Sequence, residues 1–99
     1  MSGFRHVVLF RWREGTTEEQ TRTLEDRLNE LPGVIPELQA YAVGSDAGIN
    51  PANADFAVVA DFADREAFLV YRDHPTHRKV IDECVTPIVA ERHAVQYSL

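Results

Sequence analysis

The sequence predicts an α+β fold of order β-α-β-β-α-β, a four-stranded antiparallel sheet with helices on one face. Three observations predict it. Four segments rich in β-branched and aromatic residues are interleaved with two helix-patterned stretches, the two middle strands follow each other without a helix, and both helical stretches carry start and stop signals. At 99 residues the folded surface is roughly 5,700 Å² against roughly 16,000 Å² for the extended chain. About two-thirds of the surface can then be buried, which suits one domain spanning residues 1–99 and one core.

Arg5 to Trp12 reads RHVVLFRW, a β-branched and aromatic run that predicts the first strand. Glu14-Gly15 ends it. Thr17 with Gln20 three residues on, and Glu18 and Glu19 in the first turn, predicts a capping box opening a helix. Leu24, Leu28 and Leu31 follow at helical spacing, and Pro32-Gly33 stops the helix. Glu37 to Gly44 and Asp55 to Phe62 read as the next two strands. Between them Ser45 to Ala54 forms a turn-rich hairpin loop, a candidate flexible rim. Asp64 caps a short helix running to about Arg72, and His74-Pro75 breaks it because proline removes a donor and pushes its predecessor out of helical space. Pro75 also suits the first position of a new helix, on which His77, Val80, Ile81 and Cys84 fall at i, i+3, i+4 and i+7. A strand from about Glu91 to Ser98 closes the order, which is that of the ferredoxin-like split-βαβ plan.

The strands predict a partner. A sheet with one wet face alternates apolar and polar residues, but here His6, Val8, Phe10 and Trp12 oppose Val7 and Leu9, and Phe56, Val58, Ala60 and Phe62 oppose Ala57 and Val59. Both faces are apolar at the centre, with helices for only one of them. Soluble monomers seldom leave such a patch open, so a homodimer packed sheet to sheet is expected.

Charge and composition narrow the function. Sixteen acidic residues stand against ten basic ones, for a net charge of −6, so the diffuse positive field that draws nucleic acid or anionic membranes is missing. Val7 to Phe10 is far too short an apolar run for a secretory or membrane segment. The lone Cys84 has no internal partner and apolar neighbours, which fits an inert thiol in a reducing, cytoplasmic setting. Neither nucleic acid nor membrane is an expected partner. With no GxGxxG, no GxxxxGK[ST] and no hydrolase triad motif, no cofactor is expected either.

The residues able to carry chemistry are few. His77 opens the apolar stripe of the last helix, in a first turn whose dipole disfavours imidazolium, and a neutral buried imidazole can serve as a general base. It can equally be a core histidine satisfied by a carbonyl or hydroxyl. Tyr71 shares the inward side of the preceding helix with Ala67 and Phe68; its hydroxyl is either polarised by His77 across the Pro75 bend or simply lies at the rim of the core. His6, on the face of Val8, Phe10 and Trp12, is a satisfied core group or a polar point in a pocket. His74 and His77 form H-x-x-H, but Pro75 breaks the register and no further ligand is near, so no metal site is expected.

The R-H-V-V-L-F of Arg5 to Phe10, the Pro36-containing lead into the second strand, and Y-R-D-H-P-T-H at Tyr71 to His77 resemble the stress-responsive A/B barrel (Dabb) family over essentially the whole chain. The resemblance implies a dimeric α/β barrel of two ferredoxin-like sheets and, in each subunit, a mostly apolar small-molecule pocket. Placed on this sequence, the pocket comprises His6, Val8, Phe10, Leu28, Phe56, Tyr71 and His77. By its likeness to a plant polyketide cyclase of the family, which closes a poly-β-ketone by intramolecular aldol condensation, His77 would be the base and Tyr71 the hydroxyl that steadies the developing oxyanion. His74 would hold a helix-capping role. The chain departs from that cyclase at Phe56, where a third-strand histidine stands, and at Leu28, where a pocket tyrosine stands. A small-molecule binder, a cyclase or isomerase, and a purely structural dimer are all compatible with this reading. A cofactor-free monooxygenase or haem-degrading barrel shares the architecture, without a matching motif here.

Overall fold

The computed structural model describes residues 3–99; Met1 and Ser2 lie outside the described residues. The elements follow the order read from the sequence: β1 (Phe4–Trp12), α1 (Glu18–Asn29), β2 (Ala40–Ser45), β3 (Phe56–Phe62), α2 (Arg65–Asp73), α3 (Pro75–Val80) and β4 (Val89–Ser98). The strands form one antiparallel sheet in the order β2-β3-β1-β4, so the fold is the α+β, ferredoxin-like one. Here β1 is central because it is flanked by β3 and the C-terminal strand.

Local chemistry sets the helix ends. The Thr17 hydroxyl accepts from the Gln20 backbone N–H at 3.1 Å while the Gln20 side chain accepts from the Thr17 N–H at 2.8 Å, the reciprocal arrangement of a capping box. Asp64 accepts from Ala67 N–H at 2.9 Å at the head of α2. Leu24, Leu28 and Leu31 are buried under the sheet with Ile35, Phe62 and Phe68.

Three features depart from the sequence reading, the first being that β4 starts at Val89 rather than about Glu91. The chain spends residues 31–38 in a 3-10 turn and a tight bend, with Ile35 N–H bonded to Leu31 O and Leu38 N–H to Ile35 O. Consequently β2 begins at Ala40 rather than Glu37. Within residues 45–54 the Asp46 carboxylate accepts from Gly48 N–H at 2.9 Å and from the Asn53 amide at 3.0 Å, with Gly48 at φ +80°, a conformation that glycine adopts without strain.

The third difference is a register shift. After Val80 the helix widens into a π-helical stretch, Ile81–Val85, with Thr86 N–H reaching back to Ile81 O at 2.9 Å. One extra residue in the turn moves the apolar stripe on by one position. Val85 is therefore buried where Cys84 would have been, and Cys84 is only half-buried, with Arg27 Nη1 3.3 Å from its Sγ.

The two sheet faces contrast as expected. Towards the helices, His6, Val8, Phe10, Phe56, Val58, Ala60 and Phe62 are all buried. On the opposite face Val7 pairs with Val59 and Val95, and Leu9 with Ala57 and His93. There Leu9 is 41% and Val95 54% exposed, and the apolar strip runs out at one end into a bidentate Arg5–Asp61 ion pair at 2.7 and 2.8 Å.

Candidate functional site

A cavity of about 430 Å³ lies between the sheet and the helices, within the range that small-molecule sites occupy. Six of the seven pocket residues expected from the sequence line it: His6, Val8, Phe10, Leu28, Tyr71 and His77. Phe56 does not. It stands at the end of β3 opposite Phe10, its ring 5.7 Å from that of Trp12, and fills core there instead of facing the cavity.

The segment Arg72 to His77 builds the site's basic atom. A continuous helix would pair the Arg72 carbonyl with Thr76 N–H, but Pro75 breaks the helix and His74 Nδ1 accepts from Thr76 N–H at 3.1 Å. His74 is thus a cap, the role expected of it. The orphaned Arg72 carbonyl lies 3.1 Å from His77 Nδ1. A carbonyl only accepts, so Nδ1 carries the proton and Nε2 keeps its lone pair. His77 stacks on Tyr71 with ring centroids 4.2 Å apart. Its pKa is held below the ordinary histidine value, mainly by burial and further by the charges of Arg78, His74 and Arg92, while the Arg72 carbonyl pulls the other way. The shift favours the neutral imidazole, and desolvation rather than a helix dipole is its main cause.

His6 has the opposite tautomer. The Gln96 side-chain amide donates to His6 Nδ1 at 2.8 Å, which leaves the ring proton on Nε2. Burial, followed by the charges of Arg92 and His77, pushes its pKa down to about 4. Two neutral imidazoles therefore line one cavity, one with an unprotonated Nε2 and one with a protonated Nε2.

Tyr71 is placed differently from the simplest expectation. Its hydroxyl lies 2.9 Å from that of Tyr41 and has its hydrogen bond there, not with His77. Burial pushes Tyr71 up to about 12, with the Tyr41 hydrogen bond and the Arg92 charge opposing, and Tyr41 is raised as well, chiefly by burial. Tyr71 offers the cavity a ring wall. Among the described residues, no group of three or more His, Cys, Asp or Glu is placed to hold a metal ion.

Sequence reasoning missed four polar lining residues: Arg72, Arg78, Arg92 and Gln96. The last two project inward from β4 because they pair with Phe10 and His6, both inward-facing. Only the strand register reveals this, since by residue type alone Arg92 and Gln96 read as solvent-facing positions. No residue of the 45–54 loop lines the cavity, so that loop is not its rim.

The fold and site define a class of ferredoxin-like proteins that enclose a small cavity between sheet and helices. The chain belongs to the stress responsive A/B barrel domain (Dabb) family, whose model matches residues 4–99. No curated protein matches the sequence. It is similar to a dimeric ferredoxin-like protein of unknown function from Thermobifida fusca, with 44% identity and a TM-score of 0.91, over 99% of this chain and 92% of that one. It shares its fold with a dimeric protein of unknown function from Bacteroides fragilis, at 22% identity and TM-score 0.83, over 98% and 96% of the two chains. A hydroxynitrile lyase from Passiflora edulis has the same fold at 20% identity and TM-score 0.84, over 98% and 93%.

Proposed function

We propose that this Dabb protein is a cytoplasmic homodimer, joined through the open sheet face, that binds a small, largely apolar carbonyl compound and moves protons on it. The observation that carries the reading is the pair of opposite tautomers. His77 Nε2, unprotonated in a neutral ring, is set up to take a proton alpha to a carbonyl, and His6 Nε2–H to donate to the oxygen on which charge develops. Tyr71 orients His77 by stacking, and its hydroxyl stays with Tyr41. Enolate-forming steps of this kind serve aldol ring closure as in the polyketide cyclases of the family, and related acid–base work at a carbonyl carbon underlies the cyanohydrin chemistry that the Passiflora relative's name denotes. The apolar strip of Val7, Leu9, Val59 and Val95, together with the dimeric Thermobifida relative, supports the homodimer; the lone reduced Cys84 supports the location.

The test is deuterium incorporation from D₂O at the α-carbon of 2-octanone. Wild-type protein is expected to accelerate it, and His77→Gln to lose at least about a hundredfold of that acceleration. Because the His77 pKa lies below the ordinary value, the midpoint of the fall in rate with falling pH should lie below that of an ordinary histidine. Equal rates for wild type and His77→Gln would remove His77 as the base.

A further inference from the structure

The cavity's charge is the reverse of the protein's. The chain carries sixteen acidic against ten basic residues, yet the ionisable side chains around the cavity, apart from the two histidines and Tyr71, are Arg72, Arg78 and Arg92, with no carboxylate among them. Two of these have partners on their own helical segments. Arg72 pairs with Asp73 at 2.9 Å, and Arg78 lies 4.0 Å from Asp82. Arg92 has no hydrogen-bond or ion-pair partner among the described residues; its strand neighbour Glu91 is engaged with Arg11 and His93 instead.

Position makes Arg92 the informative one. It stands opposite Phe10 on the inward face of the edge strand β4, two residues along that face from Ala94 and four from Gln96. Its side chain is therefore directed to the cavity while its strand stays open to solvent. The positive charge reaches the polar groups inside, depressing the proton affinity of His6, His77 and Tyr71 alike. A guanidinium beside an apolar cavity whose lining holds no carboxylate lacks a counter-charge there, and its planar fork matches a carboxylate.

We propose that the cavity takes an amphipathic organic anion, a carboxylate with a compact apolar body, whose carboxylate pairs with Arg92 at the mouth while the body packs on Val8, Phe10, Leu28 and Val85. This rests on the reading of the cavity as a ligand site and adds the ligand's charge and orientation to it. The ligand enters from the β4 side, because that is where the cation and the solvent-exposed strand coincide. Arg78, also in the cavity lining, adds longer-range attraction that salt will screen.

The experiment is calorimetric titration of the whole protein with octanoate and with its neutral counterpart octanamide, at low and at physiological ionic strength. Wild type is expected to bind octanoate roughly tenfold or more tightly than octanamide, with the preference shrinking as salt is added. Arg92→Gln should weaken octanoate about tenfold and leave octanamide unchanged, while Arg92→Lys recovers part of the loss. Arg13→Gln, an exposed arginine outside the cavity, controls for net charge, and Leu28→Trp, which fills the cavity, should abolish binding of both probes; circular dichroism checks that each variant is folded. Equal affinity for the two probes in wild type, with no effect of Arg92→Gln, overturns the anion preference and leaves the cavity as a neutral-ligand site. Failure of wild type to bind either probe overturns the cavity reading itself, and the anion proposal with it.

Discussion

The two faces of the one sheet are built from nearly the same residue types and end in opposite situations. Towards the helices, Val8, Phe10, Val58 and Phe62 are each no more than 4% exposed, closed over by α1, α2 and the π-helical stretch. Away from them, Val7, Leu9, Val59 and Val95 form a comparable strip that no element among the described residues covers. A strand cannot make one face apolar by accident, since neighbours along the chain alternate sides. The difference therefore shows which burial the chain completes alone and which it leaves open. It also explains where the cavity lies: the helix-covered face is deep enough to enclose space, because β4 contributes Arg92, Ala94 and Gln96 there rather than bulky apolar side chains.

The contrast can be broken from either side. The largest effect is expected on the covered face, where Leu24 is fully buried. Leu24→Ala should cost about 2–5 kcal/mol, read as a lower midpoint in urea. On the open face, Leu9→Asp should leave the fold intact but weaken self-association by at least about 2 kcal/mol. Light scattering would then give a mass near 11.2 kDa for the variant and twice that for wild type at micromolar concentration; a monomeric wild type would remove the homodimer. The smallest effect is the pH dependence of the covered face. His6 has an ordinary value of 6.5 unfolded and about 4 folded, so the unfolded chain takes up the proton first. Its contribution is fully present above about pH 6.5 and is lost as pH falls towards 4, amounting to roughly 2 kcal/mol once solvent screening is allowed for. His77 titrates with the same sign. His6→Gln should flatten that part of the fall in urea midpoint, and an unchanged slope would show that the ring is solvated.

Much of the site was legible because its signals are local. Pro75 after His74, and His77 two residues beyond it, fix a helix break and a cap within a few residues, so the bend between Tyr71 and His77 could be read directly. What escaped was non-local. Tyr41 as the partner of the Tyr71 hydroxyl, Gln96 as the donor to His6, and Arg92 as the cation at the mouth sit 30, 90 and many residues away from what they serve. The family resemblance puts Phe56 in the pocket, at the place of a third-strand histidine, yet its position along the strand packs it on Trp12 instead. The π-helical register shift at Ile81 was equally invisible, since periodicity assumes a constant turn.

The sequence by itself determined the element order, the caps, the helix break and the two-faced apolar strands, all of which follow from residue type and spacing along the chain. Only the tertiary structure decided which nitrogen of each histidine holds its proton, which hydroxyl Tyr71 answers to, and that an acidic protein lines its cavity with arginine. Those depend on which distant atoms come within about 3 Å, the range over which hydrogen bonds form, and strand register rather than local spacing brings the distant ones together.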